Sequence, residues 1–154
     1  MTINSFNLKS LPESYVSFLE SCPWQAASFL AQMLREKSFE HYLGENPLLF
    51  ILSENGEPAA FCTLSQKDAI DDERLYPWIG FVYTAEEFRG KRLSEAVIRA
   101  ALETASEKGF EKVYLTTDHI GADPCLQMVG FIGAITHIMK IRQFYMESKD
   151  ISSN

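Results

Sequence analysis

The amino-acid sequence predicts a mixed α/β domain organised around one sheet. Two observations carry that reading. Apolar stretches of strand length recur at 48–52, 59–64, 78–84 and 113–117, and between and before them apolar residues repeat at the helical interval. An Asn55-Gly56 pair separates the first two stretches, the strongest short-range signal for a hairpin. With 154 residues, 46% of them apolar and 12% aromatic, the chain suffices for one domain with a substantial core. Residues 1–146 are taken as that domain, and 147–154 as a polar tail that frays.

In chain order, residues 2–8 read as a first strand. Ser21-Cys22-Pro23 reads as a helix start, because proline is tolerated in the first turn, where its missing N–H costs nothing. Phe29, Leu30, Met33 and Leu34 then repeat at helical spacing to about Lys37. A short helical piece from Phe39 to Leu43 ends at Gly44, and Pro47 prevents its continuation. These helices are expected to pack on the sheet. After the hairpin, residues 65–77 form a polar, acidic loop, and Trp78 to Thr84 form a strand. Leu93 to Lys108 is the best helix: Leu93, Ala96, Val97, Ala100, Ala101 and Thr104 mark a face, and Gly109 stops it. Val113 to Thr117 is a further strand. Asp123-Pro124 opens a short helix to Met128, and 131–144 is strand-like, with room for two strands.

Composition excludes several classes of function. Fourteen Lys and Arg face 21 Asp and Glu, a net charge of −7, which argues against a nucleic-acid partner. No apolar run reaches the 18 residues or so of a membrane span, and the first residues lack the pattern of a signal peptide. Cys22, Cys62 and Cys125 are then expected as reduced thiols in a cytoplasmic protein. His41, His119 and His137 form no zinc pattern, so no metal is expected.

The chemistry-bearing stretch runs from Trp78 to Phe131. A strand leads through Arg89-Gly90-Lys91-Arg92-Leu93-Ser94 into the long helix. Such a junction leaves backbone N–H groups unpaired at the positive end of the helix dipole, a setting suited to phosphate. Three cations within four residues of an acidic chain add to it. A solvated basic helix start is the other reading of the same residues. The spacings of a P-loop and of a dinucleotide fold are both missing.

Here the sequence resembles the GCN5-related N-acetyltransferase superfamily over about residues 48–145. In that family a strand enters an Arg/Gln-x-x-Gly-x-Gly/Ala loop whose amides hold the pyrophosphate of acetyl-CoA. Trp78 to Tyr83 followed by Arg89 to Ser94 fit this pattern, with Arg92 and Ser94 at the glycine positions, and Gly130-Phe131 end the family's next helix. The family pattern Asn-x-x-Ala, with Tyr four residues later, falls on His119, Ala122 and Leu126. The resemblance implies an acyl-CoA N-acyltransferase-like fold: a mostly antiparallel sheet, flanked by helices, with splayed central strands. It further implies transfer of an acetyl group from acetyl-CoA to a primary amine of a small molecule or peptide by direct attack. It allows a homodimer, while composition leaves neither nucleic acid nor membrane as an expected partner. The implied cofactor contacts are Phe81, Val82, Tyr83, Arg89, Gly90, Lys91, Arg92, Leu93, Ser94 and His119.

For the proton transfers the candidates are His119, as base or acid, and Cys125, as donor to the leaving thiolate. An ordinary loop histidine and a small buried cysteine are the competing readings. Tyr114, Trp24 and Trp78 are expected in packing roles, with Tyr83 able to reach the cleft. Leu126 in place of the family tyrosine favours an alternative function, a catalytically weakened CoA-binding module with a regulatory or interaction role.

Overall fold

A computed structural model describes residues 1–67, 76–110, 112–116, 134–135 and 143–147. Strand β1 (Thr2–Asn7) precedes helices α1 (Glu13–Ser21), α2 (Gln25–Glu36) and α3 (Phe39–Leu43). The hairpin β2 (Leu48–Glu54) and β3 (Glu57–Ser65) follows, then β4 (Trp78–Thr84), α4 (Leu93–Glu107) and β5 (Lys112–Thr116). Short β6 (Ala134–Ile135) and β7 (Gln143–Glu147) complete the described elements. They form one sheet in the order β1-β2-β3-β4-β5-β7-β6. All neighbours are antiparallel except β4 and β5, which run parallel.

The unbroken apolar runs in β2 and β3 follow from burial on both faces of the sheet. One face carries Phe50, Leu52, Ala60, Cys62 and Ile79, packed on α4. The other carries Leu49, Ile51, Phe61 and Tyr83, covered by α1, α2 and α3. On α4 the buried stripe is Leu93, Val97, Ile98, Ala101, Leu102 and Ala105, rotated from the expected one towards the larger side chains. Alanines on both flanks leave the sequence pattern ambiguous there, and Ile98 and Leu102 decide it. Gly109, at φ +90°, ends the helix, with Phe110 N–H donating to the Ala105 carbonyl at 3.1 Å.

Two expectations near the N-terminus are corrected. Ser21-Cys22-Pro23 is not a helix start but the junction of two helices, since Cys22 caps α1 by donating to the Phe18 and Leu19 carbonyls. The sequence reading passed over α1, whose signal is Pro12 ahead of the first turn and an apolar pair, Val16 and Leu19, at i, i+3 spacing. Phe29 lies outside the buried stripe of α2 and instead meets Tyr42 at 5.3 Å on the surface. Arg35 ties α1 to α2, donating to Glu20 at 2.8 and 3.1 Å and to Glu13 at 2.9 Å. Its hydrogen bond holds the Glu20 carboxyl below its usual range, although an exposed cluster like this adds little stability.

Candidate active site

The site begins where β4 leaves its neighbour. β4 pairs with β3 along most of its length, but with β5 only at Trp78↔Tyr114 and Ile79↔Leu115. Beyond Ile79, its edge towards β5 has no ladder partner among the described residues. The end of the described ladder adjoins a bulge. Thr63 pairs with Gly80 and Phe61 with Tyr83, so Phe81 and Val82 together oppose Cys62 alone. Phe81 sits at φ +49°, a left-handed conformation costing a bulky residue about 1 kcal/mol or more. The sequence reading missed this bulge; Gly80 inside an apolar strand was its signal.

β4 then turns through a short 3-10 segment, Glu86–Phe88, into the loop before α4. Arg89 folds back, its Nε donating to the Thr84 carbonyl at 3.2 Å, which fixes the end of β4. Gly90 is at φ +89°, where a glycine is at ease. Lys91 Nζ lies 3.4 Å from a Glu54 oxygen and 5.6 Å above the Phe88 ring. Arg92 caps α4 in the left-handed region, at φ 59° and ψ 35°. Its largely exposed side chain approaches Glu95 at 3.8 Å. Leu93 is buried in the core beneath, so its contribution to a ligand is limited to its backbone N–H. Ser94 is half-buried in the first turn. Ala96 N–H donates to the Arg92 carbonyl at 3.3 Å, so the amides ahead of it in the first turn have no intrahelical acceptor.

Arg92 thus adopts the backbone conformation that a glycine takes without strain. Replacing it by glycine releases about 1–2 kcal/mol of strain, less the larger chain entropy glycine brings to the unfolded state. Arg92→Gly is therefore expected to raise the melting temperature by a few degrees. A lowered midpoint in a thermal scan contradicts that account of the loop.

On the other face of β4 stands a group of rings. Trp24 stacks on Tyr83 with centroids 5.3 Å apart and planes within 9°. It also meets Phe61 at 6.2 Å and Phe81 edge-on at 6.4 Å. Phe61 and Tyr83 pack at 5.3 Å below. Trp78 is fully buried against Tyr114, as expected of packing residues, whereas Trp24 is half-buried and lines this wall. Burial pushes the Tyr83 phenol up, with the neighbouring Cys22 adding to the effect, so the phenol keeps its proton at neutral pH. Burial likewise pushes the Cys22 thiol up, with Glu87 as a smaller cause, and a raised thiol is a poor nucleophile.

The geometry therefore brings Phe81, Val82 and Tyr83, a bulged strand segment without a β5 ladder partner among the described residues, into line with Arg89 through Ser94 at a cation-bearing helix N-terminus. A sequence model of the acetyltransferase (GNAT) family matches residues 11–131. The chain belongs to the GNAT acetyltransferase family. Its fold is that of the acyl-CoA N-acyltransferases. It is similar to an acyl-CoA N-acyltransferase from Pseudomonas aeruginosa at 18% identity and TM-score 0.59, covering 94% of this chain and 97% of that one. It is similar to a GNAT family N-acetyltransferase from Escherichia coli solved in complex with CoA, at 13% identity and TM-score 0.61, over 97% of this chain and 83% of that one. An IAA acetyltransferase from Bacillus cereus is similar at 17% identity and TM-score 0.58, over 95% and 98%. No curated protein sequence matches.

Among the described residues no group of His, Cys, Asp and Glu is arranged to hold a metal ion, and no helix is long and apolar enough to cross a membrane. The expected roles of His119 and Cys125 fall outside the described residues, as do Ala122, Leu126, Gly130, Phe131 and most of the acidic loop from Asp68. Sequence reasoning also missed Glu54 and Glu95 as counter-ions to Lys91 and Arg92, since only the fold brings the hairpin tip and the first turn of α4 beside them.

Proposed function

We propose that this GNAT family member is a cytoplasmic N-acetyltransferase that moves the acetyl group of acetyl-CoA to a primary amine of a small molecule or peptide. One observation carries the reading: among the described residues the β4–β5 ladder ends at Ile79, beside the Phe81 bulge, and β4 runs directly into the amide-rich loop at the start of α4. The residues present suit the cosubstrate. Arg89, Lys91 and Arg92 offer cations, Gly90 and the left-handed Arg92 let backbone amides face an anion, and Leu93 and Ser94 contribute amides of the first turn. The free edge at Phe81 to Tyr83 accepts the pantetheine arm as an added strand.

On this reading a backbone N–H of the bulged segment, at Val82, polarises the thioester carbonyl. The acceptor nitrogen forms its bond to the carbonyl carbon while the carbon–sulfur bond breaks, and no acyl group passes to the protein. An alkyl ammonium titrates near pH 10, so a base must first take its proton; His119 is the proposed group. The departing thiolate needs a proton, and Cys125 is its proposed donor, beside Leu126 where the family places tyrosine. In Arg92→Gly, strain release is expected to accompany several-fold weaker acetyl-CoA binding, because the guanidinium contacts phosphate.

The direct experiment incubates the protein with acetyl-CoA and a panel of primary amines, following CoA thiol release and N-acetyl product by mass spectrometry. Amine-dependent product formation supports the reading. Binding of acetyl-CoA without turnover of any amine favours the CoA-binding module instead, which Leu126 also suggests.

A further inference from the structure

The tip of the β2–β3 hairpin carries carboxylates where a hairpin has no use for them. Glu54 and Glu57 are direct cross-strand partners on either side of the Asn55-Gly56 turn. Partners in that register project to the same face, and like charges there weaken a ladder. Lys91 relieves the repulsion. Its Nζ lies 3.4 Å from Glu54 Oε2 and 5.6 Å from the centre of the Phe88 ring. The neighbouring cations have local partners, Arg89 the Thr84 carbonyl and Arg92 the carboxylate of Glu95. Lys91 instead reaches across 37 residues of sequence to the hairpin. The loop before α4 and the hairpin tip are thus joined through one ammonium.

We propose that Glu54 and the pyrophosphate of acetyl-CoA compete for Lys91, so that Glu54 sets cofactor affinity below what the loop alone would give. The proposal rests on the acetyl-transfer reading and adds to it a residue that regulates the cofactor site. An ammonium has three donors, but a carboxylate and a pyrophosphate on one nitrogen stand within a few ångströms of each other. Each contact therefore gains at the other's expense. The existing tie is open to displacement, because the Lys91 side chain is 57% exposed and such pairs are weak in water. Glu54, at 22% exposure and anchored at the end of β2, has less freedom to withdraw, so its charge stays beside the loop. When Lys91 turns to phosphate, the repulsion between Glu54 and Glu57 returns, and that cost falls on the ligand. Glu54 touches no reacting atom in this scheme; it acts through Lys91 as a positioning residue.

The experiment is calorimetric titration of CoA into wild type, Glu54→Gln, Lys91→Met and the double variant, at about 0.15 M and about 1 M salt. Glu54→Gln is expected to bind CoA about three- to fivefold more tightly than wild type at the lower salt, and to lose most of that gain at the higher. Lys91→Met is expected to bind several-fold more weakly. In its background Glu54→Gln should change affinity by less than about 1.5-fold, because the contested cation is gone. A thermal scan of Glu54→Gln should show a midpoint within about 2 °C of wild type, since an exposed pair and a repulsion are lost together. Unchanged or weaker binding in Glu54→Gln overturns the proposal. An equal gain in the Lys91→Met background overturns it too, since Glu54 then repels the ligand without Lys91. If wild type binds CoA and the variants show no such coupling, the acetyl-transfer reading stands and the competition falls. If wild type takes up no CoA, the cofactor reading itself fails.

Discussion

Ser94→Glu is expected to weaken acetyl-CoA binding by about 100-fold or more, because a carboxylate in the first turn of α4 would face the pyrophosphate directly. The same change should leave the fold intact or slightly firmer, since a negative charge near a helix N-terminus is favourable by about 0.3–1 kcal/mol. This opposition of signs is what makes the variant informative. A general disruption of α4 lowers the melting temperature and the affinity together, whereas occupation of an anion site lowers the affinity alone. Calorimetry with acetyl-CoA beside a thermal scan reads both quantities. Unchanged affinity in Ser94→Glu means that the loop from Arg89 to Ser94 is a solvated helix start.

Phe61→Ala carries the largest expected loss of stability. Its ring has no exposed surface and lies at the junction of Phe18, Trp24 and Tyr83, so truncation removes transfer energy and leaves a cavity between sheet and helices. About 3–5 kcal/mol is expected, or roughly 10 °C in the midpoint. Phe61 supports Trp24 and Tyr83 from beneath, while acetyl-CoA binding, which on the proposed reading depends on the loop before α4, should survive below the new midpoint. A loss under about 1 kcal/mol contradicts the described packing.

Much of this architecture was legible in the sequence because local signals and burial agree. Asn55-Gly56 fixes the hairpin: Asn55 and Gly56 both take positive φ in the turn, which these residue types tolerate. Gly44 and Gly109 end α3 and α4 where expected. The loop at Arg89 to Ser94 was visible as a cluster of cations ahead of an apolar helix. Other features depend on contacts distant in sequence. The bulge at Phe81 and Val82 shows only through the pairing of β4 with β3. Trp24 reads as core by its size, yet the α1–α2 junction places it at the edge of a ring wall shared with β4. Thr63 looks like an ordinary β-branched strand residue; its unpaired hydroxyl shows only once its neighbours are in place. Glu54 neutralises Lys91 across a sequence separation of 37 residues, which no local pattern encodes.

On the proposed reading, acetyl-CoA lodges between the β5-facing edge of β4 and the start of α4. The most direct measurement is the melting temperature with and without about 1 mM acetyl-CoA, since a ligand that binds only the folded chain stabilises it by mass action. A dissociation constant near 10 µM corresponds to about 2.7 kcal/mol of stabilisation at that concentration, and the midpoint should rise by several degrees in wild type but not in Ser94→Glu. An unmoved wild-type midpoint, with the protein folded throughout, means that Arg92 and Ser94 have closed the loop to the pyrophosphate and contradicts the account at its centre.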